Sequence, residues 1–181
     1  VGSLFTGKPF YIGSGRISSQ SVTDFFAPGD SIVTSKSYDY NGRGQVTRTS
    51  VSGAPSGSLS TSRVYPISET ENTSQVIQSL VDKNMISPIL NTLTYMPSFS
   101  QSLYEQRAGT KIAYGIFNTD QLLPARQYAL EFSPTSEKYT LKSEVLKYSQ
   151  NGNPLEVLQK GNHYTGYVWG YGDRYPVAEV Q

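Results

Sequence analysis

The chain has 181 residues, with 15 Lys and Arg against 14 Asp and Glu, and charged residues make up only 16% of it. Seven basic and six acidic residues fall in 1–90 and eight of each in 91–181, so neither half carries the basic field that nucleic acid or an anionic membrane surface requires. Cysteine is absent, which removes disulfide frameworks, thiolate zinc sites and cysteine nucleophiles together.

The opening Val1-Gly2-Ser3 carries no basic and apolar leader, as expected of a cytosolic protein or of a mature fragment. From about residue 16 to 68, RISSQSVTDFF, SIVTSKSYDYN, GQVTRTSVSG and SLSTSRVYPIS read as four strands rich in Thr, Val, Ile and Tyr. Ala27-Pro28-Gly29-Asp30, Asn41-Gly42-Arg43-Gly44 and Gly53-Ala54-Pro55-Ser56-Gly57 supply the turns between them. In the second strand neither the even row, Ile32 to Tyr40, nor the odd row is strongly apolar, so both faces of this sheet are expected to be largely wet.

The period then changes. Val76, Ile77, Leu80 and Val81 share one helical face, Asn72, Thr73 or Ser74 can cap its start, and Asn84 with Pro88 can end it, predicting one helix over about 73–84. Its folding role is to cover the sheet; a partner-binding helix is the other reading. Strands resume from about 86 to 181 as ILNTLTYM, QRAGTKIAYGIFN, ARQYALEF, KYTLKSEVLKYS, PLEVLQKG, HYTGYVWGYG and RYPVAEV. Turns at Pro97-Ser98, Ser133-Pro134-Thr135, Asn151-Gly152 and Gly161-Asn162 separate several of them, the spacing of an antiparallel β-meander. The expected fold is therefore mainly β: one domain over 1–181, or a fragment of a longer repeat protein, with a twisted antiparallel sheet of successive hairpins and one covering helix. No apolar run approaches the ~18 residues of a spanning helix.

One phrase occurs twice, as Tyr38-Asp39-x-Asn41-Gly42-Arg43 and as Tyr148-x-x-Asn151-Gly152. Asn-Gly adopts the positive φ angles of a two-residue hairpin loop, the tyrosines can pack across it, and Asp39 can pair with Arg43 over the turn. All these residues are expected to be structural turns rather than a ligand site. Tyr38, Asp39, Gly42 and Arg43 fill the Tyr-Asp-x-x-Gly-Arg pattern, so the stretch resembles the YD repeat of bacterial Rhs-type proteins. Gly44 stands where that repeat has an apolar residue, and the second copy has Ser149 and Asn153 where it prefers Asp and Arg. The ending YSQNGNPLEVLQKGNHYTGYVWGYGDRYPVAEV is likewise similar to the end of cell-surface proteins of Bacteroides-type bacteria. The resemblance implies a run of strands around one helix and a location at the cell surface, in the periplasm or outside the cell.

Catalytic signatures are sparse. His163 is the only histidine, which rules out a zinc site of several His ligands and leaves any Ser-His-Asp triad to be built around it. GSGR at 13–16 lacks the Lys-Ser of a phosphate loop, and no Asp-x-Asp-x-Asp-Gly calcium loop occurs. No catalytic residue, metal ligand or cofactor is therefore expected. Two carboxylates suffice for a glycosidase, and Asp173 and Glu179 are candidates of the kind any β protein supplies.

The strand HYTGYVWGY places His163, Thr165, Tyr167, Trp169 and Tyr171 on one row and Tyr164, Gly166, Val168 and Gly170 on the other. Tyr167, Trp169 and Tyr171, with Tyr175, are the candidate binding surface for a glycan or another surface protein. The competing reading packs this row on the hairpin that carries Tyr114, Ile116, Tyr128, Leu130 and Phe132. The function expected is a non-catalytic cell-surface structural or interaction module, with a carbohydrate-binding surface as the alternative and a glycan-active enzyme third.

Overall fold

A computed structural model describes residues 15–27, 30–53, 58–66, 74–97, 104–131 and 138–181. Its strands are β1 (Ser19–Ala27), β2 (Asp30–Tyr40), β3 (Val46–Ser52), β4 (Leu59–Val64), β5 (Asn91–Pro97), β6 (Tyr104–Phe117), β7 (Gln121–Glu131), β8 (Lys138–Tyr148), β9 (Pro154–Gln159), β10 (His163–Gly170) and β11 (Tyr175–Val180). They form a single eleven-stranded sheet in strict chain order, each strand antiparallel to its neighbours. Four strands before the helix and seven after it are those the Thr-, Val- and Tyr-rich runs predict. Of the predicted turns, Pro28-Gly29, 54–57, Ser98 and Ser133-Pro134-Thr135 lie outside the described residues.

The helix α1 (Gln75–Asp82) joins β4 to the segment leading into β5. Ser74 is the N-cap, its hydroxyl accepting from the Ile77 N–H; Asn72 and Thr73, the other candidates, lie outside the described residues. At the far end Asn84 takes a positive φ of 56° while Asn84 N–H and Met85 N–H bond the Val81 and Leu80 carbonyls. This is a Schellman stop with Asn in place of Gly, and it brings Met85 onto Leu80.

Cross-strand partners share a face, so register divides the sheet into two sides. On one side Leu80 of α1 has no exposure and packs with Leu90 and Leu122, flanked by Val76, Ile77, Met85 and Tyr114. Leu90 is itself tied into the sheet, its N–H on the Val64 carbonyl and its carbonyl accepting from Ile112. Within β1 to β5 several cross-strand contacts are polar: Ser21 with Ser35, Ser50 with Ser60, Thr61 with Thr94, and Arg63 with Thr49. The sheet thus stays wet over much of both faces, as the composition of β2 implies.

Because the dense packing is concentrated under α1, Leu80→Ala is expected to cost about 2–5 kcal/mol by urea denaturation. Val22→Thr on the exposed edge strand is expected to stay within about 0.5 kcal/mol.

Candidate functional site

The two Tyr…Asn-Gly phrases do become hairpin turns, but not of the two-residue type. Asn41 N–H bonds the Gln45 carbonyl at 3.0 Å and Gly44 N–H bonds the Asn41 carbonyl at 2.9 Å, with Gly44 at φ +84°. In the second copy Ser149 N–H bonds the Asn153 carbonyl at 2.8 Å and Gly152 N–H bonds the Ser149 carbonyl at 3.0 Å, with Gly152 at φ +81°. Both are three-residue loops that end on a left-handed glycine. Asn41 therefore corresponds to Ser149 and Gly44 to Gly152, so the two copies match two positions out of step with their Asn-Gly pairs.

Side chains confirm this correspondence. Asn41 Oδ1 accepts from the N–H groups of Arg43 and Gln45, each at 3.0 Å, and Ser149 Oγ accepts from those of Asn151 and Asn153, each at 3.2 Å. Tyr40 and Tyr148, one residue earlier, each reach back over the preceding part of the chain, to the Ile17 carbonyl at 2.8 Å and the Pro124 carbonyl at 2.6 Å. Gly42 and Arg43 are exposed, and Asp39 lies in register with Arg48 instead of facing Arg43 across the turn. Tyr38 sits in β2, with the Lys36 ammonium 5.2 Å from its ring centre.

A strictly alternating meander returns every second connection to the same end of the sheet, and these turns are linked there by side-chain hydrogen bonds. Arg16 donates to the Asn41 carbonyl, Gln45 to that of Ile86, and Lys83 pairs with Asp120. Asn118 donates to the Ser149 carbonyl at 2.7 Å, Gln121 to that of Gln150, and Asn151 Nδ2 to Asp173 Oδ2 at 2.9 Å. Asn153 also donates to the Asp173 carbonyl. Asn151 is thereby a link between turns.

In the β10 strand the odd row shares the side of the sheet that α1 covers. Thr165 is 1% exposed, while Tyr167 and Trp169 are half-buried and the Trp169 indole N–H bonds the Pro154 carbonyl at 2.8 Å. Tyr171 does not continue this row: β10 ends at Gly170, and Tyr171 lies in the turn with φ 54° and 80% exposure. Its ring meets that of Tyr175 edge-on at 6.2 Å. The partners of β10 are β9 and β11, so the row does not pack on the β6–β7 hairpin of Tyr114, Ile116, Tyr128 and Leu130; Phe132 lies outside the described residues.

The opposite row, thin by sequence, is the more exposed one. Tyr164 is 55% exposed and Val180, in register with Gly166, is 60% exposed. Val168 and Tyr175 are exposed as well. Tyr164, Gly166, Val180, Lys147 and Glu156 line a shallow hollow of about 400 Å³ on this open side. The exposure of Val180 could not be found from alternation alone, because it depends on β11 being the outermost strand.

His163 is exposed in a second hollow, lined also by Gln159, Asn162, Tyr164, Thr165 and Gln181, with no Asp or Glu side chain among its described lining residues. Asp173 lies in the β10–β11 turn with its carboxylate on Asn151, while Glu179 lies near the far end of β11 in register with Tyr167. Among the described residues no three His, Asp or Glu side chains come together as a metal site. Burial raises the Tyr114 and Tyr148 phenols above their ordinary 10.0, with the neighbouring Tyr114 charge a smaller cause for Tyr148. In comparisons with known proteins, no family model matches the chain and no curated protein matches it. Fold and surface together define an antiparallel, one-layer β-meander protein with an exposed apolar margin.

Gly152→Ala is expected to cost about 1–2 kcal/mol, since alanine there is forced left-handed, whereas Gly42→Ala is expected to be nearly neutral; chemical denaturation separates the two. A raised tyrosine pKa means that the unfolded chain loses its proton first as pH rises. Stability is therefore expected to fall as pH climbs past the ordinary 10.0 toward the raised folded value, and to fall less steeply in Tyr148→Phe, measured as denaturation midpoints against pH.

Proposed function

We propose that this chain is a non-catalytic cell-surface structural or interaction module built from YD-repeat-like hairpins. The observation that carries the reading is the β10–β11 hairpin, where a sheet one layer thick leaves Tyr164, Val168, Tyr175 and Val180 in solvent on the side away from α1. Grouped apolar area of this kind marks contact surfaces more often than isolated exposed side chains do. The resemblance of the Tyr38–Arg43 stretch and of the C-terminal stretch to bacterial surface proteins supports the location.

A glycan-binding surface is the second reading, favoured by the exposed Tyr171–Tyr175 ring pair. Two rings at an edge-on angle offer a flat face and a polar rim, which suits a pyranose ring. Trp169 contributes less to this surface than its residue type suggests, because its N–H is already bonded within the fold. A glycan-active enzyme needs two facing carboxylates, and Asp173 and Glu179 lie toward opposite ends of β11.

The purified protein is expected to turn over neither glycan nor ester substrates. Robust turnover that disappears in His163→Ala, or in a single acid-to-amide variant, overturns the module reading. For the second reading, any glycan bound is expected to lose about tenfold in affinity in a Tyr171→Ala/Tyr175→Ala variant, read by titration calorimetry. Unchanged affinity removes those two rings from the site.

A further inference from the structure

The correspondence of the two turns extends through four strands on each side. In β2–β3 the partners Tyr40–Val46 and Asp39–Arg48 match Tyr148–Pro154 and Lys147–Glu156 of β8–β9, with the extra residue Thr47 matched by Leu155. One strand further, Arg48–Ser62, Thr49–Thr61, Ser50–Ser60 and Val51–Leu59 match Glu156–Gly166, Val157–Thr165, Leu158–Tyr164 and Gln159–His163. In the last pair of strands, Ser62–Leu93, Arg63–Thr92 and Val64–Asn91 match Gly166–Val180, Tyr167–Glu179 and Val168–Ala178. By register, then, β11 occupies in the second half the place that β5 occupies in the first.

The two places differ in one respect. The far edge of β5 is taken by β6, with Asn91 opposite Lys111, Thr92 opposite Thr110 and Leu93 opposite Gly109. Among the described residues no strand pairs with the far edge of β11, and all six of its residues are exposed. A margin of this kind presents peptide N–H and C=O groups ready to pair. Pro176 and the register shift beside Val177 blunt the half of β11 nearest the turn, and leave Ala178 to Gln181 as the usable stretch.

We propose that the β11 edge is a strand-acceptor site, which takes an extended segment of another polypeptide antiparallel, in the register that β6 uses on β5. The β5–β6 pairing also indicates what that segment carries. A Cβ at Gly109 would come within 2.9 Å of Leu93 Cδ2, 3.1 Å of Leu130 Cβ in β7 and 3.2 Å of the Thr92 carbonyl oxygen, so this position is crowded by the β5 backbone as well as by side chains. Val180 holds the Leu93 place and Glu179 that of Thr92, and the incoming strand is therefore expected to set Gly opposite Val180. Backbone pairing supplies the affinity and this small residue supplies the selectivity. The proposal rests on the interaction-module reading, but the two fail separately: turnover overturns the module, whereas the outcomes below concern only the edge.

The probe is a fluorescein-labelled peptide of the β6 sequence, residues 104–117, titrated against the intact protein by anisotropy. Saturable binding is expected, lost when alternate amides on one edge of the peptide are N-methylated and kept when those on the other edge are. A peptide carrying Gly109→Val is expected to bind at least about tenfold more weakly. Hydrogen exchange is expected to show new protection at Ala178 to Gln181. No saturable binding, equal tolerance of both N-methylated peptides, or protection confined to β5 and β7 overturns the proposal. So does a protein that sediments as a dimer with its β11 amides protected before any peptide is added, since the edge then belongs to a second copy.

Discussion

Eleven strands held side by side in unbroken chain order, each antiparallel to the last, put on the backbone ladder a task that a β-sandwich shares with a second sheet. Among the described residues α1 is the one helix that covers the sheet, and Leu80 packs there with Leu90 and Leu122. Elsewhere strands are held by neighbouring backbone and by short hydroxyl contacts such as Thr61 with Thr94. Each such bond adds only about 1 kcal/mol net, so the sheet depends on many of them forming in one register. A slip of one residue would exchange the two sides and strip Leu122 from α1.

This dependence explains where the unusual backbone is found. Gly44, Gly152, Asn84, Asn118 and Asp173 take positive φ in connections at the end of the sheet where α1 lies, and Gly53, Gly161 and Asn162 do so at the opposite end. The connections at the α1 end bond to one another through side-chain amides and the Lys83–Asp120 pair, so the register set by one turn is fixed against the next. The Asn41 and Ser149 oxygens do the same work with different chemistry, each satisfying two N–H groups of its own loop. That exchange of an amide for a hydroxyl is why the second copy looks worn by sequence and yet folds alike. The same economy leaves β10 and β11 as a hairpin with one open side and one bare edge.

Several features were legible from the residues themselves. The helix could be placed because Val76, Ile77, Leu80 and Val81 share a face, and the observed span is shorter by a residue or two at either end, where caps decide. The strands followed from β-branched runs between turn residues. The loop type did not follow: Asn-Gly alone points to a two-residue turn, but Gly44 and Gly152 close three-residue loops instead, and only the hydrogen bonds of the neighbouring strands choose between them. In GYVWGY, alternation separated the two rows as far as Gly170, misplaced Tyr171, and said nothing of which row water would reach.

By itself, then, the sequence determined the kind and order of the elements, because helical period, strand propensity and turn chemistry act over a few residues. Tertiary structure alone decided the pairing of Asp39 with Arg48, the half-burial of Trp169 against Pro154, the departure of Tyr171 into a turn, and the exposure of Tyr164 and Val180. Those properties depend on which strand lies alongside and where a bulge shifts the register, and both are set by chain segments far away in sequence.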